Sequence, residues 1–183
     1  KFCLQFLRPE VYSPPMKKKY SKNSLNEIYE AAEKINRREP RLEEILATDP
    51  FFSFLYAKNI LRGRFEQGEA TIAGHSSWAY QYCHCVIKGR WPQIEATLAK
   101  CPTQVCLYAG NVIRGRFIEG EKTIMQLPCY AVDYAIRHMK SRWLEAEEYI
   151  AKSMSNKADS CGKYLKFFPE AKADWIARGW ITS

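Results

Sequence analysis

The sequence predicts an all-α fold, an α-solenoid of two-helix 26-residue repeats with terminal caps, and three observations support it. Gly63-Arg64-Phe65, Gly89-Arg90-Trp91, Gly115-Arg116-Phe117 and Ser141-Arg142-Trp143 recur every 26 residues without a gap. Other columns keep the same step: Tyr56, Tyr82, Tyr108, Tyr134; Ala57, Cys83, Ala109, Ala135; and Glu43, Glu69, Glu95, Glu121, Glu147. Within each period the apolar residues fall at helical spacing, with proline and glycine as punctuation. A fixed period of this length indicates a stack of supersecondary units, each covering the apolar face of the next.

In chain order, residues 1–23 read as a basic N-terminal arm and 24–49 as capping helices with a partial leading repeat, Arg38 to Thr48. Residues 50–152 hold four full units, and 153–183 a degenerate repeat and cap. In each unit a first helix runs from about Pro50 to Arg62 or the equivalent positions. Asp49 is placed as its N-cap, and Pro50, Pro102 and Pro128 occupy the first turn. Gly63, Gly89 and Gly115 stand where a left-handed residue would end it, with Ser141 a weaker stop in the fourth copy. The second helix is short, about Glu66 to Ala73, and Pro92 again marks a first turn. Two turns of helix are unstable alone, so stacking must supply the energy. Phe168-Pro169-Glu170-Ala171 echoes Trp91-Pro92-Gln93-Ile94 and, with Trp175 and Trp180, reads as a cap or as a pairing surface, in a monomer or a homodimer.

Each first helix has two faces. Phe54/Tyr80/Cys106/Val132, Ala57/Cys83/Ala109/Ala135 and Leu61/Ile87/Ile113/Met139 lie three and four residues apart and form a buried stripe, its small middle column admitting the next helix. The opposite flank combines Leu55/Gln81/Leu107/Asp133, Asn59/Cys85/Asn111/Arg137 and Arg62/Lys88/Arg114/Lys140. Its chemistry changes from unit to unit, so it is the face free to recognise a partner.

The Arg64/Arg90/Arg116/Arg142 and Glu69/Glu95/Glu121/Glu147 columns are residue types of a catalytic pair, yet an active site concentrates its groups in one place. Their recurrence predicts instead a ladder of Arg–Glu pairs tying one unit to the next and fixing register. The tyrosine column and Phe65/Trp91/Phe117/Trp143 offer flat rings once per unit, as base-stacking repeats do. Constant position favours core, with each tyrosine ring buried and its hydroxyl satisfied. His75, Cys83, His84 and Cys85 match no zinc spacing, and no nucleophile–base set, phosphate loop or dinucleotide turn is present. No enzymatic activity, metal or cofactor is expected.

The 183 residues are 46% apolar, enough for one core and too apolar for a disordered chain, with no run of the ~18 apolar residues a membrane helix needs. Seven cysteines without a disulfide spacing suit a reducing cytoplasm. The net charge of +8 hints at an anionic partner but is unevenly placed. Residues 41–152 hold 14 Lys and Arg against 12 Asp and Glu, whereas residues 1–40 hold 9 against 5. The densest basic run is Lys17, Lys18 and Lys19 with Lys22; the other cationic feature is Arg62, Lys88, Arg114 and Lys140, one per unit. A structural reading of that row is compensation of each helix's C-terminal end.

The unit Tyr82-Cys83-His84-Cys85-Val86-Ile87-Lys88-Gly89-Arg90-Trp91-Pro92-Gln93-Ile94-Glu95 resembles short helical repeats of phage and prophage proteins. In those, Tyr-Ala is followed by Val-Ile-Lys-Gly-Arg-Trp, Pro-Glu-Ala-Glu and a closing Ile. The likeness covers residues 41–152. It implies a phage-encoded accessory protein in the bacterial cytoplasm that inhibits a host or defence factor by binding it. The functional expectation is a non-enzymatic protein-binding repeat protein using the variable flank, its partner a host or defence protein or a protein–nucleic-acid complex, with no membrane partner. The alternative is binding of an RNA or DNA backbone through the cationic row and the basic arm.

Overall fold

The computed structural model describes residues 20–155 and 160–182, and helices are the only regular secondary structure among them. Ser21 opens α1 (Lys22–Ile35) by accepting the Ser24 N–H at 3.1 Å, and Asn36 ends it in the left-handed conformation, φ 47°. Lys22 therefore begins a helix, while Lys17, Lys18 and Lys19 lie outside the described residues. Then follow α2 (Pro40–Leu46), α3 (Pro50–Leu55), α4 (Glu66–Ala73), α5 (Ser76–Tyr82), α6 (Pro92–Leu98), α7 (Pro102–Tyr108) and α8 (Ile118–Ile124). The chain continues through α9 (Pro128–Tyr134), α10 (Leu144–Ala151), α11 (Ser160–Phe167) and α12 (Ala171–Ala177). Asp49 caps α3 as expected, its Oδ1 accepting the N–H groups of Phe51 and Phe52 at 2.9 and 3.1 Å.

The odd-numbered helices α3 to α9 do not end as α-helices. Each continues into a π-helical segment: Tyr56–Leu61, Cys83–Ile87, Ala109–Ile113 and Ala135–Met139. The reversal falls on the next residue, Arg62, Lys88, Arg114 or Lys140, at φ 52°, 56°, 58° and 54°. This corrects the assignment of the left-handed position to Gly63, Gly89 and Gly115, none of which has positive φ. The cause is the wider last turn. Arg62 N–H closes on the Ala57 carbonyl five residues back, and Gly63 N–H bonds the same oxygen at 3.1 Å, so the chain turns one residue early. With Ser141 in place of glycine the reversal still falls on Lys140, whose N–H reaches the Ala135 carbonyl at 2.7 Å.

Helices pack on sequence neighbours, as α3 on α4, α5 on α6 and α7 on α8, and on the next helix of their own kind: α3 on α5, α5 on α7, α7 on α9 and α9 on α11, with α2 on α4, α4 on α6 and α6 on α8. The small column makes the approach possible, since Ala57, Cys83, Ala109 and Ala135 are fully buried. α1 lies against α2, α3 and the Tyr56–Leu61 segment, the place of an odd-numbered helix before α2.

A buried tyrosine joins successive helix pairs. Tyr82 Oη donates to Glu69 Oε1 at 3.0 Å and accepts the Phe65 N–H at 2.7 Å, while Arg64 clasps the same carboxylate through Nε and Nη2, both at 2.7 Å. Arg38–Glu43–Tyr56, Arg90–Glu95–Tyr108 and Arg116–Glu121–Tyr134 repeat it. The expected Arg–Glu ladder between units is thus corrected. Arginine and glutamate sit five residues apart in one unit, within local reach across the turn into the second helix, and the tyrosine makes the crossing. A further cluster, Arg142–Glu147–Tyr164, comes from a tyrosine four residues beyond the 26-residue step. There Trp175 Nε1 also donates to Glu147 Oε2 at 2.9 Å, and Arg142 reaches Asp174 at 2.7 Å.

These carboxylates tolerate burial because charged and neutral donors fill their lone pairs. The guanidinium forks beside Glu43, Glu69 and Glu95 hold their carboxyls below the usual glutamate range. Burial pushes the Tyr82, Tyr108, Tyr134 and Tyr164 hydroxyls well above theirs. Tyr108→Phe strips the Trp91 N–H of its acceptor and Glu95 of a donor, and is expected to cost about 1–3 kcal/mol in urea unfolding. Removing the hydroxyl of exposed Tyr149 should change stability by less than about 0.5 kcal/mol. The folded chain holds the glutamate protons more weakly than the unfolded chain and the tyrosine protons more tightly. Through these glutamates and tyrosines the urea midpoint should therefore fall as pH drops below about 4.3 and fall again above about 10.

Candidate partner-binding face

The variable flank lies along the π-helical ends of α3, α5, α7 and α9, where consecutive segments contact one another. Part of it is engaged inside the fold. Asn59 Nδ2 donates to Tyr29 Oη, and Asn111 Nδ2 to Tyr80 Oη, both at 2.8 Å, so these amides tether a helix to its predecessor. Asp133 pairs with Lys163 of α11. Leu55 and Gln81 are half-buried, Leu55 against the core and Gln81 accepting a weak bond from Cys85 Sγ at 3.8 Å. Leu107 and Arg137 are exposed, with no hydrogen bond or ion pair to a described residue.

The cationic residues form the open part of the face. Arg62, Lys88, Arg114 and Lys140 are all exposed, and their side chains make no hydrogen bond or ion pair among the described residues. Shallow recesses separate them. One of about 200 Å³ is flanked by Arg62 and Lys88 over Ala57 and Cys85; one of about 500 Å³ lies between Lys88 and Arg114, with His84 and Asn111 in its wall. A third, of about 240 Å³, holds Leu107, Asp133 and Arg137. Sequence reasoning named the cations but missed their backbone state. The signal was Asn36, which ends α1 in that conformation with the residue type that tolerates it.

The other candidates are placed as follows. The Tyr56, Tyr82, Tyr108 and Tyr134 rings are fully buried against Phe65, Trp91, Phe117 and Trp143 at centroid distances of 5.1 to 5.5 Å, enclosed away from any base. Burial pushes the Cys83 thiol up to about 12 and Cys106 up to about 11, which leaves both as small apolar groups. His138 sits below the ordinary histidine value because of burial and the Arg137 charge. Among the described residues no three His, Cys, Asp or Glu side chains are grouped to hold a metal, and no helix is long and apolar enough to cross a membrane. No protein family, curated protein or solved structure matches the chain.

A left-handed backbone costs an L side chain about 1–2 kcal/mol that glycine avoids. Lys88→Gly and Lys88→Asn are therefore expected to melt at or above the wild-type temperature in calorimetry, an unusual outcome for removing a helix-end charge.

Proposed function

We propose that the chain is an α-solenoid of 26-residue helix pairs, capped by α1–α2 and α11–α12, that acts as a non-enzymatic binding protein. Its partner is a host or defence protein of a bacterial cell, alone or in complex with nucleic acid, and the chain inhibits it by occupying its surface. The protein is of the phage accessory type. One observation carries the reading: the same three side chains recur at each helix-pair junction, whereas the exposed flank beside them changes at every step, Leu107 and Arg137 included. An invariant frame with a variable edge separates holding the stack from recognition. The acid–base groups at the junctions are already saturated by one another, which supports a structural and not a catalytic role for them.

Immobilised full-length chain and its Leu107→Ser/Arg137→Ser variant test this in parallel on lysate of phage-infected bacteria. A component held by the wild type and lost from the variant, at unchanged melting temperature, is the expected result. Identical profiles from the two chains would contradict it.

A further inference from the structure

Each unit carries two basic residues two positions apart, and only one is neutralised. Arg64, Arg90, Arg116 and Arg142 each grip a glutamate with two nitrogens. The side chains of Arg62, Lys88, Arg114 and Lys140 have no partner among the described residues, and all four residues stand in the left-handed conformation. Where α1 needs the same turn it uses Asn36. A long cationic side chain at all four positions is therefore not a conformational choice. Helix-end compensation does not account for it either, because Lys58, His84 and Arg137 already place basic groups in the last turn of three of the four π segments. A local rule broken at equivalent positions, with no compensating contact, is the mark of a residue retained for function.

The row has a geometry. Consecutive π segments touch, so the cations follow one another at about one helix-packing distance, ~8–10 Å. Between Lys88 and Arg114 the recess of about 500 Å³ contains an exposed flat ring, His84, whose inner face lies parallel to Tyr80 at 9° with centroids 5.8 Å apart. We propose that this row is a track for the backbone of a single-stranded nucleic acid, one phosphate per cation, with a base laid on His84. The proposal rests on the helix-end flank being the binding face and names what that face holds.

Charge regularity favours this occupant. Evenly repeated cations match a polymer of evenly repeated anions, whereas an acidic protein surface has no fixed step. A duplex keeps its bases stacked and has none to offer His84, while a single strand presents unpaired bases to flat side chains. Asp133, the carboxylate among the described residues of the flank columns, is paired with Lys163 and does not cancel the row.

The test is fluorescence anisotropy with full-length chain and a labelled 12-nucleotide oligothymidine, single-stranded and annealed to its complement, from 20 to 200 mM salt. Four phosphate contacts predict a slope of log K on log salt near about −3 for the single strand. Arg62→Asn/Lys88→Asn/Arg114→Asn/Lys140→Asn is expected to weaken binding at least tenfold without lowering the melting temperature. If that chain does not fold, the pair Lys88→Asn/Arg114→Asn serves, with the slope reduced by about half. His84→Ala should weaken binding severalfold at unchanged slope. The proposal is overturned by no binding at 20 mM salt, by an asparagine variant within twofold of wild type, by tighter binding of the duplex, or by loss only in Lys17→Ala/Lys18→Ala/Lys19→Ala. Failure here with partner capture still dependent on Leu107 and Arg137 removes the nucleic acid alone. Oligonucleotide binding through the row with capture unaffected by those residues removes the protein partner instead.

Discussion

A buried glutamate that belongs to one helix pair and is completed by a tyrosine from the next is the interaction on which the rest depends. Alone, each pair is too short to be stable, and an isolated buried carboxylate would be strongly unfavourable. The arginine five residues before it makes the charge tolerable, but only the incoming tyrosine hydroxyl completes the set and at the same time accepts the backbone N–H that begins the second helix. Register follows from this. A slip of one residue would move the ring out of the core and leave a carboxylate and an amide unpaired together, so the junction tolerates one alignment.

The same economy explains the helix ends. The small column must be small to let the next helix approach, and in the three glycine copies its carbonyl then receives two N–H groups from the widened last turn. The reversal is fixed by the N–H of the residue before the glycine or serine, which closes on that carbonyl in all four copies, so serine can stand where glycine stands elsewhere. Sterics agree, since a Cβ built on Gly89 meets nothing within 4 Å.

Much of this was legible in the sequence because a repeat multiplies weak signals. Helix starts, the small buried column and the buried tyrosine ring all read from columns that agree, whereas the Leu61, Ile87, Ile113 and Met139 column expected in the buried stripe is only half-buried. What was not legible has physical causes. Tyr164 escapes the 26-residue step because four extra residues precede it, though it makes the same bonds as Tyr134. Pairing partners were misassigned because columns show which residues recur and not which copy they reach; a Tyr–Glu bond thirteen residues long looks the same in a list as an Arg–Glu bond of five. Asn59 and Asn111 looked free because they vary from copy to copy, yet they vary with Tyr29 and Tyr80, the hydroxyls they hold. The left-handed cations were hidden because glycine beside them is the residue propensity points to.

Native-state hydrogen exchange measures the junctions directly. If the tyrosine hydroxyls hold successive helix pairs together, the Phe65, Trp91 and Phe117 amides exchange in the slowest class, through global unfolding only, with a free energy that tracks the urea value. Exchange of these three through local opening, with a free energy well below the urea value, would mean that the pairs part locally and that the buried glutamate does not bind them.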